Sequence, residues 1–264
     1  AATVSLSDLS HTYDGTAKAA TATTEPAGLG VVLTYNGTAT VPTDAGSYPV
    51  EAVIDDTNYQ GSASDTLVIG KATPVLTWAN PADIVYGTTL DETQLNATAS
   101  VAGTFVYTPT AGTLLETSAN QPLSVSFTPE DATNYTTATA QVTVNVTQAT
   151  ATVTLADLNQ PYDGTARAAT ATTEPAGLTV VLTYSGESDP PTTAGSYPVT
   201  AVIEDANYEG TASGTLVVAK ATPVLTWTQP APIVYGTTLG AAQLNAIASV
   251  AGTFVYTPTA GTLL

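Results

Sequence analysis

The residues with the clearest chemical potential form three small clusters that recur along the chain. Asp56, Asn58 and Tyr59 return as Asp205, Asn207 and Tyr208, and Asp131, Asn134 and Tyr135 make a third set. With Asp55 and Glu204 alongside, clustered oxygens of this kind are what a calcium ion takes. A tight turn with a buried tyrosine is the simpler account, since Asp bonds its own backbone and the ring can anchor a sandwich corner. Tyr13-Asp14-Gly15 and Tyr162-Asp163-Gly164 offer a ring and a carboxylate to a sugar. The same residues make a turn in which Asp and Gly set the bend and Tyr anchors it.

The remaining chemical groups are sparser. Trp78 and Trp227 each end a strand, where a ring either stacks on a sugar or packs into a core; packing is the expectation. Lys71 and Lys220 raise a Lys–Asn isopeptide crosslink, which needs a buried lysine beside an asparagine and an acid, and their place at module joints argues against it. Lys18 and Arg167 keep their charge between repeats and are expected to pair locally, for instance with Glu25 and Glu174. His11 has Gln160 at its repeat position, so it reads as a surface loop residue. Asn36, Asn96 and Asn134 head N-x-Thr triplets, which arise by chance in a threonine-rich chain. No catalytic, cofactor-binding or metal residue is assigned, and calcium is the one cofactor left open.

Composition narrows the classes. The 264 residues carry four basic and 22 acidic side chains, a net charge of −18. That surface does not displace counterions from nucleic acid, and anionic membranes repel it. With no cysteine and one histidine, thiol chemistry and disulfides are excluded and zinc has almost no ligands. No apolar run is long enough to span a bilayer as a helix. Acidic pairs do not stand out from the turn chemistry, so no enzyme is expected.

The elements that position these groups are strands. Threonine alone is about a fifth of the chain, and helix formers such as Glu, Lys and Met are scarce or absent. Hydrophobic residues make up 43% and 13 tyrosines are regularly placed, enough to build cores. Residues 47–54, 196–203, 121–127 and 139–146 alternate in polarity, which predicts half-buried strands. Pro/Gly clusters such as 24–28 and 42–46 mark turns between them.

Repeats set the organisation. Residues 1–115 lie over 150–264 with no gap and about three-quarters identity, and 99–115 returns unchanged as 248–264. Inside that period of 149 sits an older duplication with the same order of landmarks. Four modules follow: 1–71, 72–149, 150–220 and an incomplete 221–264 that lacks counterparts of 116–147. Such a fragment is expected to leave apolar faces and a sheet edge open. Either the chain is a piece of a longer array, the favoured expectation, or another chain supplies the missing strands. The joints (66–78, 141–155 and 215–227) contain no Gly/Ser-rich or Pro-rich spacer, which predicts a stiff, extended rod.

The modules at 1–71 and 150–220 resemble MBG/YDG repeats. The likeness rests on YDGTA (13–17, 162–166), ATTEPAGL (22–29, 171–178), PT-x-AGSY-x-V (42–50, 191–199) and D-x-NY-x-G (56–61, 205–210). The alternate modules resemble bacterial immunoglobulin-like repeats, through 81–109 and LSVSFTPEDATNY (123–135). The resemblance implies tandem small immunoglobulin-like β-sandwich modules in an extended array, from the stalk of an adhesin-like bacterial surface protein. It implies an extracellular location and no site residues to carry over. Neighbouring repeats are then the partners, with any surface glycan or host ligand bound by domains outside this segment. Two alternatives stay open: ligand-binding modules with displayed aromatics, and a strand-donating filament subunit.

Overall fold

Branched residues at alternating positions favour the pleated chain, and the computed structural model, which describes residues 1–264, contains 22 strands and no helix. The all-β expectation holds. The chain divides into two compact units, Ala1–Ala149 and Thr150–Leu264.

In the first unit, β1 (Thr3–Ser7), β2 (Ser10–Thr12), β3 (Thr21–Glu25), β4 (Val31–Tyr35), β5 (Gly46–Ile54) and β6 (Ser62–Gly70) come first. β1 and β3 pair antiparallel, and β2-β6-β5-β4 form a four-stranded sheet in which β2 runs parallel to β6. Between the layers lie Val50, Leu67, Ile69, Ala20 and Tyr35, with Leu6 and Leu33 packed against them. Burying a side chain such as Leu67 contributes about 2 kcal/mol. The buried Tyr35 hydroxyl accepts the Ala20 N–H at 2.9 Å, so the ring fills the core without orphaning its oxygen.

The same unit continues with β7 (Leu76–Thr77), β8 (Ile84–Val85), β9 (Thr98–Ala99), β10 (Gly103–Thr108), β11 (Ser118–Pro129) and β12 (Ala138–Thr147). β11 and β12 form a long hairpin, flanked by β10 on one side and by β8, parallel to β12, on the other. Leu123, Val142, Val144 and Val146 of the hairpin close over Ile84, Leu90, Leu95 and Leu115. Gly103 lets β10 approach: a Cβ there would overlap the Phe127 ring and the Thr128 carbonyl.

β13 (Ala149–Thr150) spans the division. The second unit then repeats the first pattern with β14 (Thr152–Ala156), β15 (Asn159–Pro161), β16 (Thr170–Glu174), β17 (Val180–Tyr184), β18 (Gly195–Ile203), β19 (Tyr208–Glu209) and β20 (Thr211–Ala219). β14 pairs β16, and the four-stranded sheet runs β15-β20-β18-β17. Tyr184 again accepts the buried N–H, from Ala169 at 3.0 Å. Residues 221–264 form only β21 (Leu225–Thr226) paired with β22 (Ile247–Ala248), plus an isolated bridge from Thr238 to Leu263. Val234, Tyr235 and Val255 stand in solvent there, the open apolar face expected of this stretch.

Candidate functional site: the joint inside the first unit

The groups with chemical potential do not converge on one cleft. No three His, Asp or Glu side chains come together in a way that could hold a metal ion. Each recurring Asp is an acceptor for its own turn. Asp56 Oδ1 accepts the N–H groups of Asn58 and Tyr59 at 2.7 and 3.1 Å. Asp205 Oδ1 does the same for Asn207 and Tyr208 at 2.8 and 3.0 Å. The expected buried tyrosine is not found in the first turn, where Tyr59 is 39% exposed.

The third turn is different, and it builds the site. Asp131 Oδ1 accepts from the N–H of Thr133 at 3.1 Å and of Asn134 at 3.0 Å, closing the tip between β11 and β12. Asn134 follows its Asp by three residues rather than two, so its side chain turns back over the tip. Its Nδ2 donates to Asp131 Oδ2 at 2.9 Å and to Asp44 Oδ1 at 3.1 Å. Its Oδ1 accepts the Ala45 N–H at 2.7 Å. Asn134 is only 6% exposed, so the tip of one segment is plugged into the loop before β5 of the other.

Neighbouring groups complete the joint. The Tyr13 and Tyr135 rings meet edge to face with centroids 5.4 Å apart. Ala72 N–H donates to the Asn134 carbonyl at 2.9 Å, and Thr136 N–H to the Ala72 carbonyl at 2.8 Å. Lys71 Nζ donates to the Ala132 carbonyl at 2.6 Å. Lys71 is exposed and bonded to a backbone oxygen, unlike the buried lysine that an isopeptide needs. Burial raises the Tyr13 phenol, with Tyr135, Asp131, Asp44 and Asp14 adding to the shift. The Asn134 side-chain amide is the main group holding the Asp131 carboxyl below the ordinary range; backbone N–H groups and Lys71 add to it.

Other expectations resolve locally. Lys18 and Arg167 pair with Asp14 and Asp163, not with Glu25 and Glu174, because the partner lies four residues back in the same turn. Asp14 Oδ1 also accepts the Thr16 N–H at 2.9 Å, and Asp163 repeats this with Thr165. His11 sits on β2 rather than in a loop, and its Nε2 meets the Asp8 carbonyl at 2.8 Å. Gln160 makes the equivalent bond to Asp157 at 2.9 Å, so what repeats is a donor and not a residue type. Trp78 packs on the second core, donating Nε1–H to the Gln94 carbonyl at 3.0 Å. Trp227 keeps that bond, to Gln243 at 3.0 Å, yet is 53% exposed. Of the three triplet asparagines, Asn36 and Asn96 are exposed and Asn134 is buried.

Sequence reasoning missed Asp44 and Ala45, the receiving half of the joint. They lie 90 and 89 residues from Asn134, beyond any local pattern. The one local signal was the extra residue between Asp131 and Asn134.

Comparisons with known proteins add the family. The profile of the MBG domain matches residues 2–73 and again 151–222. No curated protein sequence matches the chain. Among solved structures, immunoglobulin domains 1–5 of Sidekick-1 align at 12% identity and a TM-score of 0.31, over 86% of this chain and 63% of that one. The chain thus spans less than two thirds of that structure. Drosophila N-cadherin EC1–4 aligns at 12% identity and a TM-score of 0.32, over 84% and 75% of the two chains. With two matched copies that together cover more than half of its length, this repeat chain belongs to the MBG domain family.

Proposed function

We propose that the chain is a spacer or fibre segment of a tandem-repeat bacterial surface protein, an adhesin-like stalk outside the cell. Its work is mechanical and geometric, with no catalysis. The observation that supports this reading is the Asn134 plug, which ties one segment to the next by side-chain and backbone bonds where a flexible linker would otherwise run. The partners in this reading are neighbouring repeats, and any glycan or host ligand is met by domains elsewhere. A net charge of −18 keeps like copies apart in solution. Of the two rings that separate a spacer from a displayed aromatic binder, Trp78 is half-buried, bonded and packed, which favours the spacer, whereas Tyr59 is exposed and does not.

Small-angle scattering tests the proposal, with calcium and then with chelator. A compact chain of this length has a radius of gyration near ~18 Å. A rod of three and a half modules, each about 40 Å long, gives near ~40 Å. The expected outcome is the larger value, unchanged by chelator. A compact particle would overturn the stalk, and a chelator-sensitive rod would make the Asp/Asn-Tyr turns metal sites.

A further inference from the structure

Strand β10 ends its sheet, so one of its edges meets β11 and the other meets no strand. Glu130 N–H donates to the Ala102 carbonyl at 3.0 Å, and bonded pairs alternate along an antiparallel ladder. Thr104, Val106 and Thr108 therefore exchange bonds with β11, whereas Gly103, Phe105 and Tyr107 turn their N–H and C=O groups to the open edge. Pro129, which has no N–H to give, sits opposite Gly103, where the alternation asks for none. Natural edges are blunted by lysine, proline, a bulge or a covering segment. From Gly103 to Thr108 the register runs without a bulge and the strand holds no charge and no proline.

Beside this edge lies a hollow of about 380 Å³, lined by Leu95, Phe105, Val106, Tyr107, Asp91 and Glu92. Its apolar wall is braced: the Phe105 ring stacks on Tyr107 with centroids 6.2 Å apart and lies 4.8 Å from buried Phe127. Asp91 and Glu92 are both exposed. At the same positions the second copy has Gly240 and Ala241 and keeps the turn. Gly240 N–H donates to Gln243 Oε1 at 3.2 Å, as Asp91 N–H does to Gln94 Oε1 at 3.1 Å, so the loop closes without either carboxylate.

We propose that the open edge of β10 and this hollow form a docking groove for an extended, basic segment of another polypeptide, which adds to the sheet as a fifth strand. The three outward residues offer backbone bonds, and the Phe105–Tyr107 wall takes alternate apolar side chains. Asp91 and Glu92 take a lysine or arginine. Charge decides the occupant. A second copy of this chain carries −18 and repels the groove, whereas a basic segment neutralises it. The reach from Gly103 to Thr108 suits a strand of about five to seven residues. The groove lies wholly in the first unit and does not rest on the stalk reading, so a compact scattering particle would leave it standing.

The test titrates a capped heptapeptide, Lys-Thr-Val-Thr-Val-Thr-Lys, into the whole chain and follows calorimetry and amide exchange. Saturable binding is expected, with exchange at the Phe105 and Tyr107 amides slowed about tenfold or more. Methylating the backbone nitrogens of one alternate set of peptide residues should abolish binding, because those nitrogens face β10. Methylating the other set should leave the affinity within about threefold, at unchanged peptide charge. Glu92→Lys should weaken binding about threefold or more, and less in high salt. That chain should stay folded, since Ala241 serves at the equivalent position. No binding, equal loss from both methylated sets, or indifference to Glu92→Lys would overturn the proposal. So would a dimer, seen by sedimentation, in which the Phe105 and Tyr107 amides are protected without peptide, since the occupant would then be a second copy.

Discussion

Residues 99–115 and 248–264 are the same 17-residue sequence in two settings. In the first unit, 103–108 is strand β10, registered on β11 from Gly103↔Pro129 to Thr108↔Ser124. In the second, 252–257 has no strand partner and no strand. What survives in both is a set of single backbone bonds that close the loops. Leu90 and Leu239 donate their N–H to Thr113 and Thr262 at 2.9 Å, and Ser100 and Ser249 donate theirs to Val75 and Val224 at 2.9 Å. Turn and loop bonds thus belong to the sequence, whereas the strand belongs to the partner that satisfies its edge. β-Propensity in such a segment expresses itself only when a neighbour is present.

Removing the hairpin's anchor is the strongest way to break this contrast. Phe127→Ala should cost the first unit about 3–5 kcal/mol, because Phe127 is fully buried against Phe105. Thermal unfolding followed by near-ultraviolet circular dichroism checks this, and Trp78 should then become as exposed as Trp227. Asn134→Ala comes next, at about 2–3 kcal/mol, since it strands the Ala45 N–H and the Asp44 carboxylate. Asn58→Ala, at the exposed turn of the first module, should stay within about 0.5 kcal/mol in the same melt. A smaller pair sharpens the comparison directly. Gly103→Ala should destabilise by about 2 kcal/mol, and Gly252→Ala, in identical local sequence, should leave the melting curve unmoved.

Acid supplies the mildest perturbation. The carboxyls of Asp14, Asp91 and Asp131 in the first unit are held low, chiefly by bonds from Lys18, Thr93 and Asn134 respectively. In the second unit Asp163 is held low, chiefly by Thr165. A carboxyl depressed in the folded state adds stability above its unfolded pKa, about 3.9, and that stability is lost as the pH falls below it. Lowering the pH through that range should therefore weaken the first unit more than the second. Amide exchange measured on the two units at pH 5 and pH 3 reads the difference, while relief of the overall negative charge acts on both.

Much of this architecture was legible. The alternating stretches 47–54 and 196–203 became β5 and β18, starting one residue earlier, and 121–127 and 139–146 became the cores of β11 and β12. Alternation reports which face is buried, and that is what these strands needed. It carries no information on pairing direction, so the parallel β2–β6 and β15–β20 contacts were invisible. The joint was half legible: the Asp131–Asn134 tip stood out as a turn, but its receptor at Asp44 and Ala45 has no local signature. Charge pairing was misjudged for a simple reason. Asp14 and Asp163 lie in the turn with their cations, and proximity along the chain outweighed the partners suggested by the repeat.

The tip that locks the joint is also the bend of the hairpin that seals the second core, so neither can open without disturbing the other. The 149 residues of the first unit are therefore expected, under a pull applied to their ends, to act as one bolt rather than two. Such a bolt yields in a single event that releases roughly 500 Å of chain. Two independent links of half that size would give way in two steps, each releasing about half that length.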